Sequence, residues 1–325
     1  MMAGDTVNRY SVYGVDVSSP WPFEFPPLTD AANPIARVEF VQGDDDDFQI
    51  PDGGEIASAD EAWFVCRLLP DRSAYLRWSG LYEFHIDRGG ARVASRPLAG
   101  SSLSVLQNFL FAQTLSFALV SQDIEPLHAT AVRIDDFAIG FLGDCGFGKS
   151  TLLASFVADG FQVLTDDLLV VDLSEDRAIA RSGSGRIKLM PDSASAFLGE
   201  ASRGVPLHPS TTKRSFPLDE CHRHTGGLPL ECLFVLPPPE ERTAAASIEL
   251  LALSRAALMQ ELLKNSFIVE MLDRRRIAGQ FSFAAQLASR IDGVRLSYPA
   301  GLHHLPSLRQ RIVQHARLLR GRNVQ

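Results

Sequence analysis

Between Gly143 and Thr151 the chain reads GDCGFGKST: a glycine, four residues, then Gly148-Lys149-Ser150. That spacing suits phosphate chemistry. Gly143, Gly146 and Gly148 let the backbone turn its N–H groups inward, together with those of Asp144, Cys145 and Phe147, to cradle phosphates. Lys149 can then reach the β and γ phosphates and the Ser150 hydroxyl can take Mg²⁺, with Thr151 continuing into a helix. One strand further on stand two adjacent carboxylates, Asp166 and Asp167. Beside a γ-phosphate such a pair can divide the labour, one side chain orienting Mg²⁺ or its waters and the other accepting a proton from an attacking hydroxyl. A helix cap or turn pair is the plainer reading of the two aspartates, but no helical pattern follows at once. His128 precedes the strand that leads to the loop. A lone histidine there is more often structural, and the residues alone leave that open.

These side chains need a strand to launch the loop and a helix to receive it. Phe137–Leu142 is a short apolar run that fits a buried strand, and 149–159 is a helix-forming stretch closed by Gly160. A second strand over 161–164 delivers Thr165-Asp166-Asp167, with 168–173 continuing as β. Residues 126–132 lead into a strand that turns at Asp135-Asp136. Further strands are expected over 230–236, 247–253 and 294–298, with helices over 255–264 and 276–290. A closing helix begins at Pro306, its apolar face Leu308, Ile312, Ala316 and Leu319 and its arginines solvated.

The first hundred residues are of another kind. Stretches 10–17, 36–42, 63–69, 74–78, 81–86 and 91–94 read as strands separated by turn signals, among them Pro26-Pro27. Four consecutive aspartates, 44–47, cannot all face one ion, so a solvated loop is preferred to a calcium site. Residues 104–121 are too apolar for a surface helix and too often interrupted by polar residues for a membrane span, so a buried helix packed between the two regions is expected. The division is a β-rich accessory region over 1–100 and an α/β catalytic region over 101–325.

Composition narrows the partners. With 31 Lys and Arg against 39 Asp and Glu, a net charge of −8 leaves no positive field for nucleic acid. Four cysteines without framework spacing and no signal-peptide pattern fit a cytoplasmic protein with no membrane association. Cys221, His222, His224 and Cys232 are irregularly spaced for zinc, which is not adopted. Residues 182–188 read as a hairpin turn followed by cations, with a phosphate contact as the alternative. Residues 200–217 read as one long loop, whose Lys213 and Arg214 are either a solvated pair or phosphate contacts.

His128, the loop GDCGFGKS and the Asp166-Asp167 pair resemble the catalytic domain of bacterial HPr kinase/phosphorylase, whose pattern is a His before the strand, GDSGxGKS and a paired Asp at matching spacing. The likeness is closer to the HPr-kinase-like proteins of peptide-modification gene clusters, which share a β-rich start, a Leu-His-Ala segment and a segment like Pro191-Asp192-Ser193. The resemblance implies an α/β P-loop nucleotide-binding kinase domain of the HPr kinase / PEP carboxykinase type, using ATP and Mg²⁺. It implies that Lys149 binds the β and γ phosphates, Ser150 and Asp167 serve the metal, Asp166 is the general base and His128 lies near the transferred phosphate. Cys145 stands where that family carries Ser, and its second signature segment is not found, so the acceptor is left as a hydroxyl of a peptide, protein or small molecule. A homo-oligomer is compatible with this reading. A nucleotide-binding pseudokinase and a PEP carboxykinase-like enzyme are the alternatives.

Overall fold

The computed structural model describes residues 7–23, 33–49, 63–98, 102–174, 176–199, 204–208, 211–267 and 274–323; the Pro26-Pro27 turn signal lies outside them. The chain is mixed α/β with a β-rich N-terminal part, and it divides into two units. The first comprises Met1–Ile124 with Ile268–Arg276, the second Glu125–Phe267 with Ile277–Gln325. The division thus falls after Ile124 and not at residue 100.

In the first unit β1 (Asn8–Val12), β2 (Val15–Ser19), β3 (Ala36–Gln42), β4 (Phe64–Leu68), β5 (Ala74–Trp78), β6 (Tyr82–Ile86) and β7 (Arg92–Pro97) form one sheet in the order β1-β2-β3-β7-β6-β5-β4. Residues 10–17 are a hairpin and not one strand. Tyr13 and Gly14 both take positive φ, 57° and 75°, as a two-residue turn matched to strand twist requires. Tyr13 tolerates this because it is buried and its hydroxyl donates to the Phe111 carbonyl at 3.0 Å. The acidic run is not simply solvated either. Arg92 holds Asp47 through two bonds of 2.6 and 3.1 Å, and Arg96 reaches Asp45 at 2.6 Å.

The apolar stretch is helical from Leu103 to Ser121: α1 (Leu103–Phe109), a π-helical turn (Leu110–Thr114) and α2 (Leu115–Ser121). By length and hydropathy it could cross a membrane, yet 67% of its apolar window is buried within the fold. Within the first unit, Phe109 meets Trp78 at 4.6 Å, and Phe111 packs edge-on to Phe23 and Phe40 at 5.0 and 5.5 Å. The helix therefore covers the N-terminal sheet.

The second unit is built on β8 (Thr130–Ile134), β9 (Phe137–Leu142), β10 (Val163–Thr165), β11 (Val171–Asp172), β12 (Ile179–Arg181), β16 (Gly227–Val235), β17 (Glu249–Ala252) and β18 (Asp292–Ser297). β9, β16 and β18 run parallel at its centre, with β16 between the other two. A separate small sheet has the order β13 (Arg186–Leu189), β15 (Arg214–Pro217), β14 (Val205–Pro206). Residues 200–217, expected as loop, thus contain two strands; two and four residues are too few to show a period. The helices are α3 (Lys149–Val157), α4 (Pro191–Leu198), α5 (Pro239–Ala244), α6 (Arg255–Lys264), α7 (Arg274–Arg290) and α8 (Leu305–Asn323).

Parallel strands are buried on both faces, so β9 has no exposed residue. Phe141, Phe156 and Phe234 anchor one core with α3, α8 and the small sheet, whereas Leu142, Leu233, Leu258 and Leu287 belong to the other with α6 and α7. Gly160 ends the α3 turn in the left-handed region, its N–H bonding Val157 at 2.9 Å and that of Phe161 bonding Phe156 at 3.1 Å. The arginines of α8 are more than a solvated face. Arg317 holds Asp135 at 2.9 and 3.0 Å, and Arg320 bonds Glu231 and, at 3.1 Å, Asp136.

Gly90, at φ +68°, shows how closely the first unit is packed: a Cβ there would lie 2.1 Å from the Ala118 carbonyl oxygen. Gly80, at φ +70°, has nothing within 4 Å of that position. Gly90→Ala is expected to destabilise by roughly 2–4 kcal/mol and Gly80→Ala by about 1 kcal/mol, measured as the difference between their urea midpoints.

Candidate active site

The site forms where β9 runs out into the glycine loop and α3 begins. Gly143, Gly146 and Gly148 take φ of 147°, 86° and 86°, conformations that a side chain would strain. Gly148 is also hemmed in: a Cβ there would stand 3.2 Å from Arg242 Nη1. Lys149 is buried and folds back over the loop, donating to the Gly143 carbonyl and, at 3.2 Å, to that of Asp144. Burial pulls its ammonium below the ordinary lysine range, against the pull of Asp167 and Asp166. Cys145 is exposed.

The two aspartates separate. Asp166, at the end of β10, is buried, and both its oxygens are taken: Ser150 Oγ donates to one at 3.0 Å and the Lys188 N–H to the other at 2.8 Å. Burial, with the Asp167 charge beside it, raises its carboxyl above the usual range. Asp167 takes φ +76°, which turns the chain after β10, and within 168–173 only Val171–Asp172 forms a strand. Its carboxylate accepts from Lys188 Nζ at 2.7 Å and lies 3.5 Å from His128 Nδ1. Burial would raise this carboxyl too, but Lys188, His128 and Lys213 outweigh it and hold it well below the carboxylate range. His128 is lowered by burial, against Asp167.

A cleft of about 150 Å³ opens over these groups, lined by the loop with His128, Lys149, Asp167, Lys188 and Lys213. Larger cavities lie elsewhere, one of about 460 Å³ among Arg177, Arg255 and Arg290 and one of about 780 Å³ along α8, but neither contains the loop or the paired carboxylates. Volume is the weaker guide here.

Of the residues expected from the sequence, Asp144, Cys145, Gly146, Gly148, Lys149, Ser150, Thr151, Asp167 and His128 line this cleft, Gly143 and Phe147 do not, and Asp166 bonds Ser150 from behind it. Thr151 faces α4, its hydroxyl 3.1 Å from that of Ser193. Lys188 joins from β13 and Lys213 from the residue before β15, and Arg214 turns away to the Gly204 carbonyl at 3.1 Å. Asn265 has no sequence signal. Buried at the end of α6, its Oδ1 accepts the Gly143 N–H at 3.0 Å and its backbone carbonyl accepts that of His128 at 2.7 Å. The cysteine and histidine set of the zinc reading does not assemble; among the described residues no three His, Cys, Asp or Glu side chains could share a metal.

No protein-family model matches the chain, and no curated protein sequence does. Among solved structures, the HPr(Ser) kinase/phosphatase from Coxiella burnetii is similar at 17% identity with a TM-score of 0.33, the match covering 59% of this chain and 96% of that one. A superposition that loose decides nothing about the site, whose chemistry rests on its own atoms.

Removing the Asn265 amide leaves the buried Gly143 N–H without a partner. Asn265→Ala is expected to destabilise by about 2 kcal/mol in chemical denaturation, with faster amide exchange at Gly143.

Proposed function

We propose that this chain binds a nucleoside triphosphate, ATP, with Mg²⁺ and transfers the γ-phosphoryl group to a hydroxyl of a peptide, protein or small molecule in the cytoplasm. The observation that supports this reading is the joining of a glycine loop to two aspartates in different roles. Ser150 lies 3.0 Å from Asp166, while Asp167 faces the cleft between Lys188 and His128.

The donor set fits Mg²⁺. This ion keeps several waters and substrate phosphates and takes one or two protein oxygens, so a serine hydroxyl beside a carboxylate suffices without a cluster of three side chains. Ser150 would hold it from the cleft, with Asp166 orienting that hydroxyl from behind, and it would neutralise charge on the β and γ phosphates. The loop N–H groups and Lys149 bind the phosphates. In transfer, the bond from the γ-phosphorus to its bridging oxygen breaks, the acceptor oxygen bonds to phosphorus, and the hydroxyl proton passes to Asp167; the nucleoside diphosphate leaves. Lys188 and His128 hold Asp167 in place for this.

This exchanges the roles that the family resemblance gave the two aspartates. Asp166 has the more basic carboxyl, which favours it as base. Its oxygens, however, are both engaged and it lies behind the cleft, and reach to the substrate proton comes before pKa.

Lys149→Ala is expected to abolish the rise in unfolding temperature that Mg-ATP gives the wild type; an unchanged rise would remove the phosphate-loop reading. Asp167→Asn is expected to keep that rise while slowing phosphate release from Mg-ATP, with water as the attacking hydroxyl in place of the acceptor, about 10²-fold or more. Asp166→Asn should instead raise the Mg²⁺ concentration needed for half the effect, read by titrating the metal at fixed nucleotide. The reverse pattern would return the base to Asp166.

A further inference from the structure

Three lysines line the cleft, and two are occupied. Lys149 bonds the loop carbonyls and Lys188 bonds Asp167. The third, Lys213, lines the same cleft half-buried, and its ammonium makes no hydrogen bond or ion pair among the described residues. An ammonium in an open cleft keeps its hydration at rest and is available to an anion that enters.

The small sheet explains how Lys213 comes to be there. β13 pairs with β15 so that Lys188 stands opposite Ser215 and Leu189 opposite Arg214. Lys213 immediately precedes β15 and lines the cleft with Lys188, whereas Arg214, the first residue of β15, shares a face with Phe216. The Lys213 backbone is held at both its groups, its carbonyl accepting the Leu207 N–H at 3.4 Å. The Lys213 N–H bonds Thr211 Oγ1 at 3.1 Å, and the Arg214 guanidinium bonds the Gly204 carbonyl.

We infer that Lys213 is a catalytic residue that binds the phosphoryl group during transfer, an ammonium supplied in cis from the small sheet to the charge that spreads over the equatorial oxygens. This rests on the phosphate-transfer reading above. Lys149 is committed to the β and γ phosphates and Lys188 to Asp167, whereas Lys213 can respond to charge that develops at the γ-phosphorus. A preorganised donor of this kind acts on the transition state more than on the bound nucleotide.

The test compares wild type, Lys213→Ala and Lys213→Arg by unfolding temperature with Mg-ADP, and with Mg-ADP plus aluminium fluoride as a mimic of the transferring group; phosphate release from Mg-ATP is measured in parallel. Lys213→Ala is expected to keep the Mg-ADP shift, lose the added shift with fluoride and release phosphate about 10²-fold more slowly. Lys213→Arg should recover part of both. If Lys213→Ala keeps the fluoride shift and the rate, or loses the Mg-ADP shift as well, the assignment to the transferring group is wrong. A wild type with no fluoride shift beyond that of Mg-ADP also overturns it. A wild type that does not respond to Mg-ADP at all overturns the phosphate-loop reading itself, a distinct result.

Discussion

Two carboxylates on successive residues, one buried and one half-buried, repel each other and lose hydration together, and the second unit is arranged around meeting that cost. Asp166 is met by short-range donors, a hydroxyl and a backbone N–H. Asp167 is met by charge, with Lys188 bonded to it and His128 beside it. Neighbours so chemically alike can diverge because the positive φ of Asp167 sends the two side chains to different surroundings. Hydrogen bonds with fixed direction hold the first in place, and the second keeps a face open to the cleft.

This requirement gives the small sheet its place. β13 brings the Lys188 N–H to one aspartate and the Lys188 ammonium to the other, so one residue serves both carboxylates from two different atoms. The other side of the strand is apolar: Ile187 and Leu189 enter the core that contains Phe141 and Phe156 beneath the loop. Polar alignment above depends on apolar burial below. Asn265 provides a second tie, joining the end of α6 to the first residue of the loop and to the backbone of His128, so that strand end, helix end and histidine keep one register.

Much of this was legible where the signal is local. Phe137–Leu142 and Arg255–Lys264 have the expected bounds, since an uninterrupted apolar run and a stretch of helix-forming residues each carry their own evidence, and in the structure Ser254 caps the second. The glycines of the loop were readable because positive φ narrows the choice of residue. Pairing between distant short segments was not readable: β14 and β15 are too brief for periodicity, and the position of Lys188 depends on its partner strand. Asn265 acts through a contact 122 residues away in sequence. Tyr13 broke a rule that favours small residues in tight turns, because the Phe111 carbonyl and the surrounding core stabilise a backbone that the turn alone would not. The arginines of α8 looked like solvent-facing charge, since helical spacing identifies a face without identifying what lies opposite it.

Lys149 has a consequence for what the loop can admit. Its ammonium already rests on two carbonyl oxygens, so the loop holds an internal competitor, and any anion that arrives gains only the difference between its own attraction and the one it displaces. A ligand with a single diffuse charge offers little more than those two dipoles do. A chain of adjacent phosphates offers far more, and it can engage the freed ammonium and the loop N–H groups together. Under the phosphate-binding reading proposed above, the loop is a threshold device, weighing the charge density of a visitor before its shape.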